Sequence, residues 1–525
     1  MVRETPSARN KRNMADISAN NKRIAKNTMY LYFRMLFMTF IGLYTSRVIL
    51  DKLGEVDYGI YNVVGGFVTM FTVVSGTMTT ATQRYLSYEI GMKEKGNVRS
   101  IFSTMVWIHL LFAIIVFFLA ETIGLWFLNT HMNFPPERHD AANWVFQYSL
   151  LAFLLNICMA PYSGALIAHE KMSAFAYFSI LEAVLKLAIC YVITITVFDK
   201  LSIYAFLITA TQITLIACYF LYCKKHFIQC KVDYKLNRQF TSSIFSFFGW
   251  NLIGALAMVL KDQGVNVVLN MFFGPVVNAA RGISYQVLSK INGFVSNFQM
   301  AMNPQIIKNY ASDQKDAMYK LVFRGAKFSY LMLLTLSLPI IFEAPLILNI
   351  WLKEVPENTV LFLRIIMFTA LLNTLSNPLI ISMHASGIIR DFQIVVGSVS
   401  LLTLPLVYCA FKLGYDAYIG LIIAFIVEFC CHLTRLFMLK STIGFPSEKF
   451  LLQVTLRIII ITLLTLILPG LTYSLICSSI PRFFSVCIVS VFSCLTFGFY
   501  GGLDKSERQI VTSKIYSIIN QTLHK

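Results

Sequence analysis

Apolar residues run along this chain in blocks of about 20, separated by short polar and basic stretches, with no strand-like alternation. A helix rises about 1.5 Å per residue, so about 20 apolar residues cross about 30 Å of bilayer hydrocarbon. Such runs predict fourteen spans. The first seven are Met29–Leu50, Tyr58–Thr80, Ile101–Leu128, Trp144–Ala168, Phe175–Phe198, Ser202–Cys223 and Ser243–Phe273. The second seven are Gly282–Asn303, Phe328–Leu348, Thr359–Ala385, Phe392–Phe411, Ala417–Thr434, Leu451–Leu471 and Phe483–Gly502.

Composition agrees. Of 525 residues, 57% are hydrophobic and 13% charged, with 44 Phe, and mean hydropathy is +0.66. Soluble domains hold about 25% charged residues, so a soluble enzyme is excluded. Disorder is excluded too, because it needs low hydrophobicity. The blocks are too long for an outer-membrane barrel. The fold class is an all-α polytopic membrane protein with about 14 transmembrane helices.

Charge orients the spans. Lys and Arg gather at cytoplasmic segments. With the N-terminus inside, the eight inside segments hold 29 Lys and Arg, and the seven outside loops hold one each. Both ends are then cytoplasmic. The net charge of +18 is spread in short clusters and forms no basic domain, so it does not point to nucleic acid. The 11 Cys lie mostly inside apolar runs, without zinc spacing; no metal, disulfide or cofactor is expected.

An internal repeat organises the chain. LGEVDYGIYN at 53–62 echoes FGPVVNAARG at 273–282, at an offset of 220. The offset also pairs Tyr30 with Trp250, Val56 with Val276, Ala81 with Ala301, and Thr82-Gln83 with Met302-Asn303. Six spans separate the copies, an even number, so the repeat is parallel about an axis along the membrane normal. This predicts a basic N-terminus (1–28), an N-lobe of six helices (29–223), a linker (224–242), a C-lobe of six helices (243–440), two further helices (441–502) and a cytoplasmic tail (503–525). Two such bundles can enclose a cavity and rock about it, which suits a transporter.

Chemistry is sparse. No nucleotide-binding loop, HExxH, GxSxG or paired intramembrane Asp occurs. His169-Glu170 reads as a solvated helix end. Charges inside spans are costly and tend to line cavities or meet partners. Arg47, Arg435 and Arg457 sit near span ends and can snorkel. Lys261 and Asp262 lie about 18 Å deep, and Lys290 approaches mid-span; these three are the cavity candidates. Arg34 and Arg364, about 8 Å deep, suit either cavity or interface. Glu182 and Lys186, four apart, form a favourable helix pair. Glu343 and Glu428 have no partner visible in the sequence and are candidates for ion coupling. Counting Arg34, Lys261, Lys290 and Arg364 against Asp262, the cavity is cationic and suits an anion such as a pyrophosphate.

The runs SRVILDKLGEVDYGIYNVVGGFVTMF, TTATQRYLSYEIG and FFGPVVNAARGISYQVLSKINGFVSNF resemble bacterial polysaccharide flippases of the O-antigen (Wzx) type. These belong to the superfamily that also holds MATE pumps and lipid II flippases. The resemblance implies two six-helix lobes plus two C-terminal helices. It implies transport of undecaprenyl-diphosphate-linked oligosaccharide from the cytoplasmic to the periplasmic leaflet of the bacterial inner membrane, by alternating access. It matches Arg34 and Lys261 to the cationic residues that hold the pyrophosphate. The implied partners are that lipid-linked glycan, membrane lipid, and a polysaccharide polymerase and glycosyltransferases. Two alternatives stay open: a MATE-type cation-coupled multidrug exporter, and a membrane enzyme of polysaccharide assembly. The acidic span-one residue of the drug pumps is missing here.

Overall fold

The computed structural model describes residues 23–512 except 43, 46–47, 50, 55–56, 58–59, 62–71, 93–95, 132–135, 231, 234–237, 353–354, 478, 503, 505–507 and 510–511. Arg47 lies outside the described residues. Among the described residues the ordered elements are helices and no strand occurs. That is what a lipid environment permits, since a helix satisfies its own backbone polar groups.

The first unit is residues 1–256 with 300–314. Its helices are α1 (residues 23–42), α2 (Thr72–Gly91), α3 (Val98–Leu119), α4 (Leu125–His131), α5 (His139–Ala168), α6 (Met172–Ile195) and α7 (Lys200–His226). A five-residue π turn, Ala120–Gly124, joins α3 to α4. Two long helices, α8 (Arg238–Phe273) and α9 (Pro275–Ala311), contribute residues to both units. The second unit is residues 257–299 with 315–525. It holds α10 (Lys315–Trp351), α11 (Thr359–Ser386), α12 (Arg390–Leu401), α13 (Thr403–Lys412), α14 (Ala417–Ile443), α15 (Ser447–Phe450), α16 (Arg457–Leu475) and α17 (Ser479–Phe497).

Eleven helices among the described residues are long and apolar enough to cross a membrane. They correspond to predicted spans three to seven and nine to fourteen. The first two spans fall partly on residues outside the described set. The eighth is a continuous helix within α9, whose Asn, Ser and Gln residues keep its hydropathy low. Span eleven divides at Leu402 into α12 and α13.

Each unit has its own core. In the first, Val116, Phe146, Leu150, Ile157 and Leu201 are buried together. In the second, Leu269, Phe362, Ile366, Val407 and Leu421 are. Lipid tails are as apolar as these side chains, so association relies on close van der Waals packing. A Cβ on Gly164 would lie 2.9 Å from Thr82 Cγ2, and one on Gly420 2.6 Å from the Phe411 ring. The absent side chains let α5 approach α2, and α14 approach α13. Large apolar residues such as Phe118, Tyr191, Ile195 and Phe437 are left exposed, as expected of a lipid-facing surface.

The repeat is visible in the backbone. Gly54 and Gly274, paired at an offset of 220, have φ of 78° and 75°. That left-handed conformation favours glycine. Ala81 and Ala301 are both buried, as are Thr82 and Met302.

Candidate functional site

Among the described residues, the most buried charge cluster lies in the second unit. Glu428 and Arg435 are seven residues apart on α14. Two helical turns bring them to one face, and Arg435 Nη1 donates to Glu428 Oε1 at 2.8 Å. The same nitrogen donates to Ser376 Oγ on α11 at 2.9 Å. Lys261 on α8 approaches Glu428 Oε2 with Nζ at 3.6 Å. The side chains of Glu428 and Arg435 are 3% and 4% exposed, and that of Lys261 is 15% exposed. Asp262, 54% exposed, stands 3.9 Å from Lys261 Nζ and is a weak partner. His432, one turn from Glu428, is buried and meets Thr455 Oγ1 at 3.3 Å through Nε2.

The cluster holds two cations around one buried carboxylate. A buried carboxylate needs such partners, because desolvation is costly without them. One arginine with good geometry already satisfies Glu428. Lys261 is the third member, the longest contact and the most accessible. It can leave Glu428 without stranding a charge. Arg281 on α9 is a further cation of this unit, with partners of its own. It is buried, donates from Nη1 to Asn266 Oδ1 at 3.3 Å, and lies 4.8 Å from the Tyr285 ring centroid.

The other sequence candidates are scattered. Lys290 is exposed on α9. Arg364 donates from Nε to the Ile341 carbonyl at 2.8 Å. That carbonyl stands four residues before Pro345, which has no N–H to offer it. Arg364 therefore repairs a proline break in α10 and does not join Lys261. Glu343, at a non-helical point of α10 with φ −99° and ψ 21°, accepts from Arg482 Nε at 2.7 Å and from Nη2 at 3.2 Å. This bidentate pair ties α17 to the kink. Arg34, in the first unit, donates to Ser179 Oγ at 3.4 Å and lies 4.9 Å from the Phe175 ring centroid. Lys186 Nζ donates to Glu182 Oε1 at 2.6 Å. Of the proposed cavity residues, the buried cluster contains Lys261, with Asp262 at its edge.

Depth along a span assigns Arg435 to the interface, and the charge pattern assigns Arg482 to an outside loop; both hold buried carboxylates. For Arg435 a signal existed: the seven-residue spacing from Glu428. For Arg482 the partner is 139 residues away, beyond any local pattern.

Residues 31–192 match the MatE family model. No curated protein matches the sequence. Among solved structures, a mutant of the Vibrio cholerae MATE transporter VcmN is similar at TM-score 0.67 and 18% identity, covering 81% of this chain and 98% of that one. A multidrug resistance MATE family transporter of the MOP superfamily, in an outward-facing conformation, is similar at TM-score 0.68 and 13% identity, covering 81% and 96%. The MATE transporter ClbM in complex with Rb+ is similar at TM-score 0.67 and 15% identity, covering 78% and 94%. The chain has the fold of these transporters.

Proposed function

We propose that this protein is a MATE-type secondary exporter that works by alternating access and whose cargo carries an anionic group. The MatE match over residues 31–192 and the fold likeness support the exporter. They support that reading better than they support a dedicated lipid-linked glycan flippase. No nucleotide-binding motif occurs in the sequence, so the membrane potential or an ion gradient drives the cycle.

One observation carries the cargo class: a buried carboxylate already satisfied by Arg435 has a second cation, Lys261, beside it. A phosphate or carboxylate on the cargo would draw Lys261 away, while Arg435 keeps Glu428 compensated. Charge-assisted bonds of this kind are roughly twice as strong as neutral ones. A cationic drug would meet repulsion at Lys261.

Within that class, undecaprenyl-diphosphate-linked oligosaccharide is the cargo we favour, on the sequence runs that resemble O-antigen flippases. The protein would then sit in a bacterial inner membrane with both ends cytoplasmic, serving glycosyltransferases and a polymerase on either side. Proteoliposomes test the proposal. Wild-type protein is expected to move a fluorescent polyprenyl-diphosphate glycan, and Lys261→Ala to slow it at least about tenfold, or about 1.4 kcal/mol. Transport of a cationic dye at the same rate in both proteins, with no lipid movement, would overturn the anionic cargo and leave the multidrug reading.

A further inference from the structure

Glu170 reads as part of a solvated turn in the sequence, yet it is buried. Its side chain is 1% exposed, and its backbone has φ 59°. That left-handed conformation is unfavourable for a residue with a Cβ. The turn between α11 and α12, which has the corresponding place in the repeat, uses Gly387 with φ 77°. The strained conformation at Glu170 is kept together with a carboxylate aimed inward.

Four groups converge on this residue. Arg23 Nε lies 2.6 Å from Oε2. Lys308 Nζ donates to Oε1 and Gln305 Nε2 to Oε2, both at 2.5 Å. Asn27 Nδ2 donates to the Glu170 carbonyl at 3.2 Å. Arg23 and Asn27 belong to the first turns of α1; Gln305 and Lys308 belong to the last turns of α9. These turns of α9, residues 300–314, belong to the first unit, and residues 275–299 of the same helix belong to the second. A second close approach holds the same stretch: a Cβ on Gly91 would lie 2.7 Å from Ala311 Cβ and 2.8 Å from the Lys308 backbone.

We propose that Glu170 is a releasable latch on the last turns of α9. The proposal rests on the alternating-access reading, in which α9 must shift where it passes from one unit to the other. Two cations serve one carboxylate, and they differ. The Lys308 side chain is 16% exposed and departs with α9; the Arg23 side chain is 50% exposed and stays on α1. When Lys308 and Gln305 leave, Arg23 still compensates Glu170. The latch therefore opens without leaving a bare buried carboxylate, which would be costly.

Hydrogen–deuterium exchange on the full chain in lipid nanodiscs tests this without any cargo. Glu170→Gln and Lys308→Gln are each expected to speed exchange of residues 300–314 by about tenfold or more, with residues 359–386 unchanged. Arg23→Ala is expected to change it by less than about threefold, and Lys308→Arg to stay near wild type. If Glu170→Gln loses protection throughout the chain, Lys308→Gln decides. Exchange at 300–314 within about twofold of wild type in Lys308→Gln would overturn the latch. Absence of transport by wild type, with the exchange pattern as expected, would sink the transporter reading and leave the latch standing.

Discussion

Removing Glu428 should harm the second unit more than removing either of its cations. In Glu428→Leu, Arg435 and Lys261 are left close together, 4% and 15% exposed, with no carboxylate between them. Breaking a buried pair by deleting one partner costs about 3–5 kcal/mol, and here two like charges remain. In Arg435→Leu, Glu428 keeps Lys261 at 3.6 Å, so the loss should sit at the lower end, about 3 kcal/mol. In Lys261→Leu, Arg435 and its 2.8 Å bond remain, and the loss should be about 1 kcal/mol or less. The double variant Glu428→Leu/Arg435→Leu leaves a single lysine and should recover about 2 kcal/mol relative to the sum of the single changes. Thermal unfolding in nanodiscs reads this order, with each kcal/mol moving the midpoint by about 2–4 °C in a unit of this size. Equal midpoints for the three single variants, or strict additivity in the double, would refute the account of one carboxylate shared unequally by two cations.

Further outcomes follow from the same geometry. Arg482→Ala strands the buried Glu343 and should lower the unfolding midpoint, and adding Glu343→Gln should recover part of the loss in the same assay. Arg364→Ala leaves the Ile341 carbonyl without its donor and should cost about 1–3 kcal/mol, without changing cargo preference in proteoliposomes. Gly91→Val forces a side chain against Ala311 and Lys308 and should destabilise the first unit by about 1–3 kcal/mol. His169 stacks on Phe227 at 4.2 Å between ring centroids. Burial, and then the Lys308 and Lys171 charges, pull its pKa from 6.5 to about 4. The unfolded chain therefore binds the proton first. Its contribution to stability is complete above pH 6.5 and is lost as pH falls toward 4. The unfolding midpoint should fall over that window in wild type and fall less in His169→Gln.

The helices were legible because lipid imposes a length and a polarity on each span. Eleven described helices meet that rule, and α9 departs from it with its stripe of Asn, Ser and Gln. The repeat was legible at Gly54 and Gly274, because left-handed backbone selects glycine and leaves a mark in the sequence. Intramembrane charges were legible as unusual residues, but their partners were not. Depth along a span says whether a side chain can snorkel; it says nothing about which helix faces it. Arg435 lies near a predicted span end, so depth alone sent it to the interface, although its spacing from Glu428 held the better clue. Arg364 looked like a cavity cation, and its acceptor is a carbonyl freed by Pro345 on another helix. Glu170 reads as solvated because it stands at a helix end, whereas its partners come from α1 and α9.

The central claim is that Lys261 is the cation free to exchange Glu428 for an anionic cargo. Binding to purified protein in nanodiscs tests it most directly, with a polyprenyl diphosphate lipid as one probe and a cationic dye as the other. The account predicts that wild type binds the diphosphate lipid, that Lys261→Ala weakens it at least about tenfold while folding is preserved, and that the dye does not compete. Dye binding that Lys261→Ala leaves unchanged, with no affinity for the diphosphate lipid, would contradict it.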